Sequence, residues 1–225
     1  MNVAPPREER AAVLLSPPGN PAAYPEVQEF WGADHPLRDW RFRESSLPGV
    51  HEIVRAYRDE VPAEFLPRLR PELHSALLVA CTGMSYGKPP GEDRAYWQDL
   101  ENRSGVPVAT ATRAVAELWQ ARGYDDMILV SPYDDRATAE AEAYWTAAGT
   151  PVRQVVRVQG GHPYRVTAAD LRRAIAEAAL APGVPVLLSG TGMRTQDLLP
   201  WVAAQHDAPV WSVNQASAEW MRKEA

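Results

Sequence analysis

Short continuous apolar runs fall at 11–15, 76–80, 106–109, 126–130, 152–158, 184–188 and 209–213. They do not alternate with polar residues, so they predict strands covered on both faces of a parallel sheet. Helical periodicity fills the intervals, over 50–60, 92–103, 113–122, 136–148, 168–180, 195–204 and 216–223. Strand and helix in alternation predict α/β layering. Thr112 and Thr167 stand where N-caps are expected, and Gly123 and Gly149 where helices should end. Three prolines between Pro62 and Pro71 predict a loop or broken helix, and Gly160-Gly161-His162 reads as a turn.

The apolar runs come in two sets. Ala11-Ala12-Val13-Leu14-Leu15-Ser16-Pro17 is echoed by Asp126-Met127-Ile128-Leu129-Val130-Ser131-Pro132. Leu77-Leu78-Val79-Ala80-Cys81-Thr82-Gly83-Met84 is echoed by Val186-Leu187-Leu188-Ser189-Gly190-Thr191-Gly192-Met193. Gly105-Val106-Pro107-Val108 is echoed by Ala208-Pro209-Val210-Trp211. Three cognate segments in one order read as an internal duplication of a domain-sized unit. The predicted fold is therefore α/β, with two pseudo-symmetric Rossmann-like (flavodoxin-like) parallel-sheet subdomains. The halves are expected at 1–108 plus 210–225, carrying Cys81, and at 109–209, carrying Gly190.

In open parallel sheets, ligands bind beyond the carboxyl ends of the strands. Ser16–Asn20, Cys81–Gly83, Ser131–Tyr133 and Ser189–Gly192 all sit at such ends. Facing halves would bring these loops to one cleft, with Cys81 on one wall and Gly190 on the other. One loop carries a thiol where its copy carries only hydrogen.

Composition narrows the classes. The chain has 225 residues, 45% of them hydrophobic, enough for one large or two small cores. The net charge of −6 disfavours a nucleic-acid partner. No apolar run approaches the ~18 residues of a membrane span. A lone cysteine excludes an internal disulfide, and Met1–Arg10 has no secretory apolar stretch, so a cytoplasmic setting is expected. The five histidines show no metal-ligand spacing, and neither a P-loop nor a GxGxxG loop is present. No metal and no cofactor is expected. A homo-oligomer remains compatible with the sequence.

Four segments carry a resemblance. They are Pro17-Pro18-Gly19-Asn20, Cys81-Thr82-Gly83, Ser131-Pro132-Tyr133-Asp134-Asp135, and the run from Ser189 through Asp197 to Pro200. Over 11 to 221 the chain resembles the Asp/Glu racemase superfamily, and within it arylmalonate decarboxylases and maleate cis-trans isomerases. Racemases and maleate isomerases of this type carry a cysteine in both loops. The decarboxylases carry one, in the second loop, with glycine in the first; here that arrangement is inverted. The resemblance implies that Thr82, the Gly83 N–H and Tyr133 bind a substrate carboxylate. Pro17, Asn20, Ser131, Gly190, Thr191 and Gly192 would line the same site, the 191–192 turn as a second anion nest. Arg194 departs from the decarboxylase pattern, which is apolar there, and would suit a substrate keeping two carboxylates.

One thiol limits the chemistry. Two-thiol racemisation needs a second thiol that is absent. Decarboxylation of a 2-substituted malonate-type diacid needs one proton donor for the enediolate, a role for Cys81, and donors that hold the developing charge. A maleate-type cis-trans isomerase, with Cys81 as nucleophile and Tyr133 as acid, is the alternative. A carboxylate-binding protein without turnover is the reading outside catalysis.

Overall fold

In the computed structural model, described over residues 10–47, 50–159 and 162–224, the duplication appears as two matching sheets. The first contains β1 (Ala11–Ser16), β2 (Leu37–Arg41), β3 (His74–Val79) and β4 (Val108–Thr110) in the order β2-β1-β3-β4. The second contains β5 (Met127–Ser131), β6 (Val152–Arg157), β7 (Val186–Leu188) and β8 (Val210–Ser212) in the order β6-β5-β7-β8. Every pairing is parallel. This is the flavodoxin-like strand order, with the direction of strand addition across the sheet reversing between β1 and β3 and again between β5 and β7.

The continuous apolar runs have their expected cause. On β1, Val13 and Leu15 enter one core while Ala12 and Leu14 enter another across the sheet. On β5, Met127 and Leu129 face one way and Ile128 and Val130 the other. Neither face is solvated, and burying each such leucine favours folding by about 2 kcal/mol.

The helices are α1 (Ala23–Trp31), α2 (Val50–Glu60), α3 (Pro90–Ser104), α4 (Ala111–Arg122), α5 (Asp135–Ala147), α6 (Ala168–Glu177), α7 (Leu199–Gln205) and α8 (Val213–Glu224). The helices α4 and α8 cross over between the halves. Ala111, Val115, Leu118 and Trp119 of α4 join the core of the second sheet. Ala218, Trp220 and Met221 of α8 join that of the first. By sheet membership β4 belongs to the first half and β8 to the second. The last strand of the first sheet ends at Thr110 and the last strand of the second at Ser212.

Several expectations need correction. The cap of α4 is Thr110, whose side chain accepts from Arg113 N, and not Thr112. Thr167 does cap α6, in a reciprocal capping box with Asp170. The helix expected from 195 begins only at Leu199, with Pro200 in its first turn. The Pro62–Pro71 stretch is a broken helix, one π-turn (Val61–Phe65) running into a 3-10 turn. Two elements were illegible: edge strand β2, whose sequence is Leu-Arg-Asp-Trp-Arg, and α1, whose pattern is interrupted by Pro25. A charged edge strand needs little apolar surface, because only one flank is paired. Pro25 is tolerated in the first helical turn, where N–H groups lack intrahelical partners. The turn expected at Gly160-Gly161 lies outside the described residues. Among the described residues, no helix is long and apolar enough to cross a membrane.

Candidate active site

The four strand-end loops meet, and hydrogen bonds stitch them together. After β3 the chain turns at Cys81 into a 3-10 turn over Thr82–Met84. The Thr82 hydroxyl lies 2.6 Å from the Tyr133 hydroxyl of the opposite half. Asn20 Nδ2 donates to Thr191 Oγ1 at 2.9 Å, and Thr191 Oγ1 donates to the Ala80 carbonyl at 2.9 Å. Asn20 Oδ1 meanwhile accepts from the N–H groups of Ala22 and Ala23, which fixes the turn leading into α1. Pro17 is buried, and its carbonyl closes the turn by accepting from Asn20 N.

Cys81 is half-buried and in the reduced state. Burial in apolar surroundings raises its thiol to about 11; the N–H groups of Met84 and Gly83, facing the sulfur, offset this only in part. The thiol is therefore protonated at neutral pH. Tyr133 is also held neutral, well above the ordinary phenol range, first by burial and then by Tyr86 beside it. The Thr82–Tyr133 pair thus presents two neutral hydroxyls beside a neutral thiol.

Gly190 is not simply a missing cysteine. Its φ is +107°, which L side chains rarely adopt. A Cβ there would meet Tyr133 Oη and Pro132 Cγ, each at 3.1 Å. The Tyr133 hydroxyl therefore occupies the space expected to be open opposite Cys81. Among the described residues, no hydrogen bond reaches the N–H groups of Gly190, Thr191 or Gly192. Those three successive donors can serve an anion.

Other expected site residues play different parts. The Ser131 hydroxyl bonds Thr138 Oγ1 at 2.8 Å and accepts from Tyr133 N at 3.4 Å, so it orients the Tyr133 loop. Arg194 extends to the surface and pairs with Glu29 of α1 at 3.3 Å, with its side chain 57% exposed. Tyr86 is buried behind Tyr133, ring centroids 6.5 Å apart.

Three participants escaped the sequence. Glu26 of α1 is fully buried, and its Oε1 accepts from Thr195 N, Thr195 Oγ1 and Gln196 N, while Oε2 accepts from Asn214 Nδ2 at 2.6 Å. Asn214 Nδ2 also holds the Thr191 carbonyl at 3.2 Å. Burial raises the Glu26 carboxyl, and four donors pull against that rise. Since every partner donates, the arrangement fits the carboxylate. Arg41 at the end of β2 bonds the Pro17 and Asn20 carbonyls at 3.3 and 2.9 Å and pairs with Asp39 at 2.7 Å. Tyr164 lies against Gly192 and Gly19. The only signal for any of these was an acidic residue among apolar ones, in a segment with no evident helix.

A surface groove of about 970 Å³ lies elsewhere, lined by α3, α4 and α5 residues such as Trp97, Glu117 and Tyr144. It contains none of the strand-end loop residues, so its size does not make it the catalytic cleft. Among the described residues, no cluster of three or more His, Cys, Asp or Glu is placed to hold a metal ion.

No protein-family model matches the chain, and no curated protein sequence matches it either. Solved structures do match. A liganded, doubly substituted arylmalonate decarboxylase, with one glycine replaced by cysteine and one cysteine by serine, superposes with a TM-score of 0.80 at 21% identity, covering 96% of this chain and 92% of that one. The Nocardia farcinica maleate cis-trans isomerase bound to TRIS gives 0.81 at 17% identity, with the same coverage. The Pseudomonas putida maleate isomerase gives 0.79 at 16%, covering 95% and 92%. This chain has the α/β fold shared by arylmalonate decarboxylase and maleate cis-trans isomerase.

Proposed function

We propose that the protein is a cofactor-independent enzyme of the Asp/Glu racemase type, decarboxylating a 2-substituted malonate-type diacid. The observation that carries this reading is the neutral thiol of Cys81, raised to about 11, beside the Thr82–Tyr133 hydroxyl pair. A resting thiol suits a proton donor; addition to an alkene needs thiolate. The similar decarboxylase variant, which gains a cysteine at a glycine and loses another to serine, parallels the inverted loops here.

In the proposed reaction, one carboxylate of the diacid is held by Thr82, Tyr133 and the Gly83 N–H. The bond from the α-carbon to the other carboxylate breaks, releasing carbon dioxide and leaving its electron pair in an enediolate. Neutral, preorganised donors stabilise that charge without counterions, at a few kcal/mol each. The Cys81 thiol then gives its proton to the α-carbon, yielding the monoacid, and solvent reprotonates the thiolate. One proton is consumed per turnover.

One observation favours a second reading, a maleate-type isomerase. Tyr133 Oη stands where a second-loop side chain would project, so an acid faces Cys81. Incubation with methylmalonate, phenylmalonate and maleate separately tests both readings: carbon dioxide from a malonate supports the decarboxylase, and fumarate from maleate the isomerase. Fumarate without any carbon dioxide would replace the first reading with the second.

A further inference from the structure

Tyr164 belongs to no strand or long helix; it sits in a 3-10 turn, Pro163–Arg165, between β6 and α6. Its ring spans the two halves. A Cβ on Gly192 would fall 2.6 Å from Tyr164 Cε1, so that glycine is needed for room and not for backbone conformation. A Cβ on Gly19 would touch the other ring edge, 3.7 Å from Cε2. Gly19 belongs to the loop after β1 and Gly192 to the loop after β7, the same loops that flank Cys81. The ring therefore fills the gap where these loops face one another. Burial, and then Cys81, hold the phenol above its ordinary range, so it is neutral beside the thiol. Among the described residues its hydroxyl has no hydrogen-bond partner, and the ring is held by packing alone, edge-on to His162 at 5.0 Å between centroids and against the two glycine loops.

We infer that Tyr164 is a specificity-determining residue: its ring, seated between Gly19 and Gly192, takes the volume of a bulky substituent, so the substrate carries a small alkyl group on its α-carbon, not an aryl group. This rests on the proposed carboxylate site around Cys81. Size selection by one ring is reversible. Removing the ring should open a phenyl-sized space, and one misplaced methylene already changes discrimination by about tenfold or more.

The test reads binding separately from turnover. Iodoacetamide alkylation of Cys81 is followed at pH 9, with propionate or phenylacetate as protecting acid. Wild type should need at least about tenfold more phenylacetate than propionate for equal protection. Tyr164→Ala, and Tyr164→Leu as a second truncation, should erase that ratio, while Tyr164→Phe keeps it because ring volume is kept. Equal protection of wild type by both acids, or an unchanged ratio in folded truncation variants, overturns the inference and leaves the carboxylate site standing. Failure of both acids to protect any form overturns the site and the inference together. A ratio that behaves as expected without carbon dioxide from methylmalonate keeps the inference and removes the decarboxylase.

Discussion

The loops after β3 and β7 are cognate, yet they work by different means. The first offers side chains: the Cys81 thiol and the Thr82 hydroxyl. The second offers backbone: three successive N–H groups at 190–192, around a glycine held at φ +107°. The side chain nearest its glycine is Tyr133, one strand away in the same half. In the proposed reaction the first wall supplies the proton together with Thr82 and the Gly83 N–H, and the second adds Tyr133 and backbone donors. The divergence is built into conformation, and changing residue 190 alone will not undo it.

The largest effect should come from the donating wall. Cys81→Ala should lower kcat by about 10²–10⁴-fold while thermal unfolding barely changes, since it trims one half-buried sulfur. A fully active alanine variant would remove every mechanism built on the thiol. In wild type, iodoacetamide should react with Cys81 about tenfold faster per pH unit from 7 to 10, because the thiol ionises near 11. A plateau near pH 7 would mean a thiolate and would favour the isomerase.

Next come the hydroxyls that join the walls. Tyr133→Phe and Thr82→Ala should each reduce kcat by about one to three orders of magnitude with smaller changes in KM. A rise in KM alone would make them substrate anchors with no preference for the transition state. The double variant should fall short of the product of the two losses, because they share one hydrogen bond of 2.6 Å.

Gly190→Ala should then cost about 1–3 kcal/mol, through positive φ and pressure on Tyr133 Oη, read as a drop in Tm. Gly190→Cys should suffer the same strain, so a second thiol cannot enter unless Tyr133 moves. Unchanged stability in Gly190→Ala would show that the backbone relaxes easily and that the walls are less distinct than their conformations indicate. The smallest effect should follow Glu26→Gln, which keeps the acceptor for Thr195 and Gln196 but sets an amide against Asn214 Nδ2. A loss of about 1 kcal/mol is expected by urea unfolding, with kcat slightly reduced through the loosened 191–196 turn. Wild-type stability would rule out Glu26 as the clamp behind that turn.

The fold was legible where burial is symmetric. Val13–Leu15 and Ile128–Val130 are apolar on both faces, so their sequence declares a central strand. Arg38 and Asp39 of β2 declare nothing, since an edge strand meets water along one flank. The site was legible where chemistry clusters by sequence, as at Cys81-Thr82-Gly83. It was not legible where distant residues converge: Glu26 meets Thr195 and Asn214, and Tyr164 meets Gly19 and Gly192, only once the halves close. The expectation of empty space at Gly190 failed for the same reason, because no local pattern shows that Tyr133 Oη arrives there. Arg194 shows the same limit, since its pairing with Glu29 of α1 joins residues far apart in the chain.

The crossing of α4 and α8 bears on how the molecule is made. On a ribosome the first sheet emerges early, but Ala218, Trp220 and Met221, which cover one of its faces, are translated after every strand. Until then that face is covered only in part, by Ala23, Val27 and Trp31 of α1 and by Ala114, and a nascent chain carries the rest of it exposed during translation of the second half. The two walls of the cleft therefore cannot mature one after the other. They should form together, late, in a single cooperative closure, and a chain stopped before Val213 should go to chaperones or proteases instead of yielding half an enzyme.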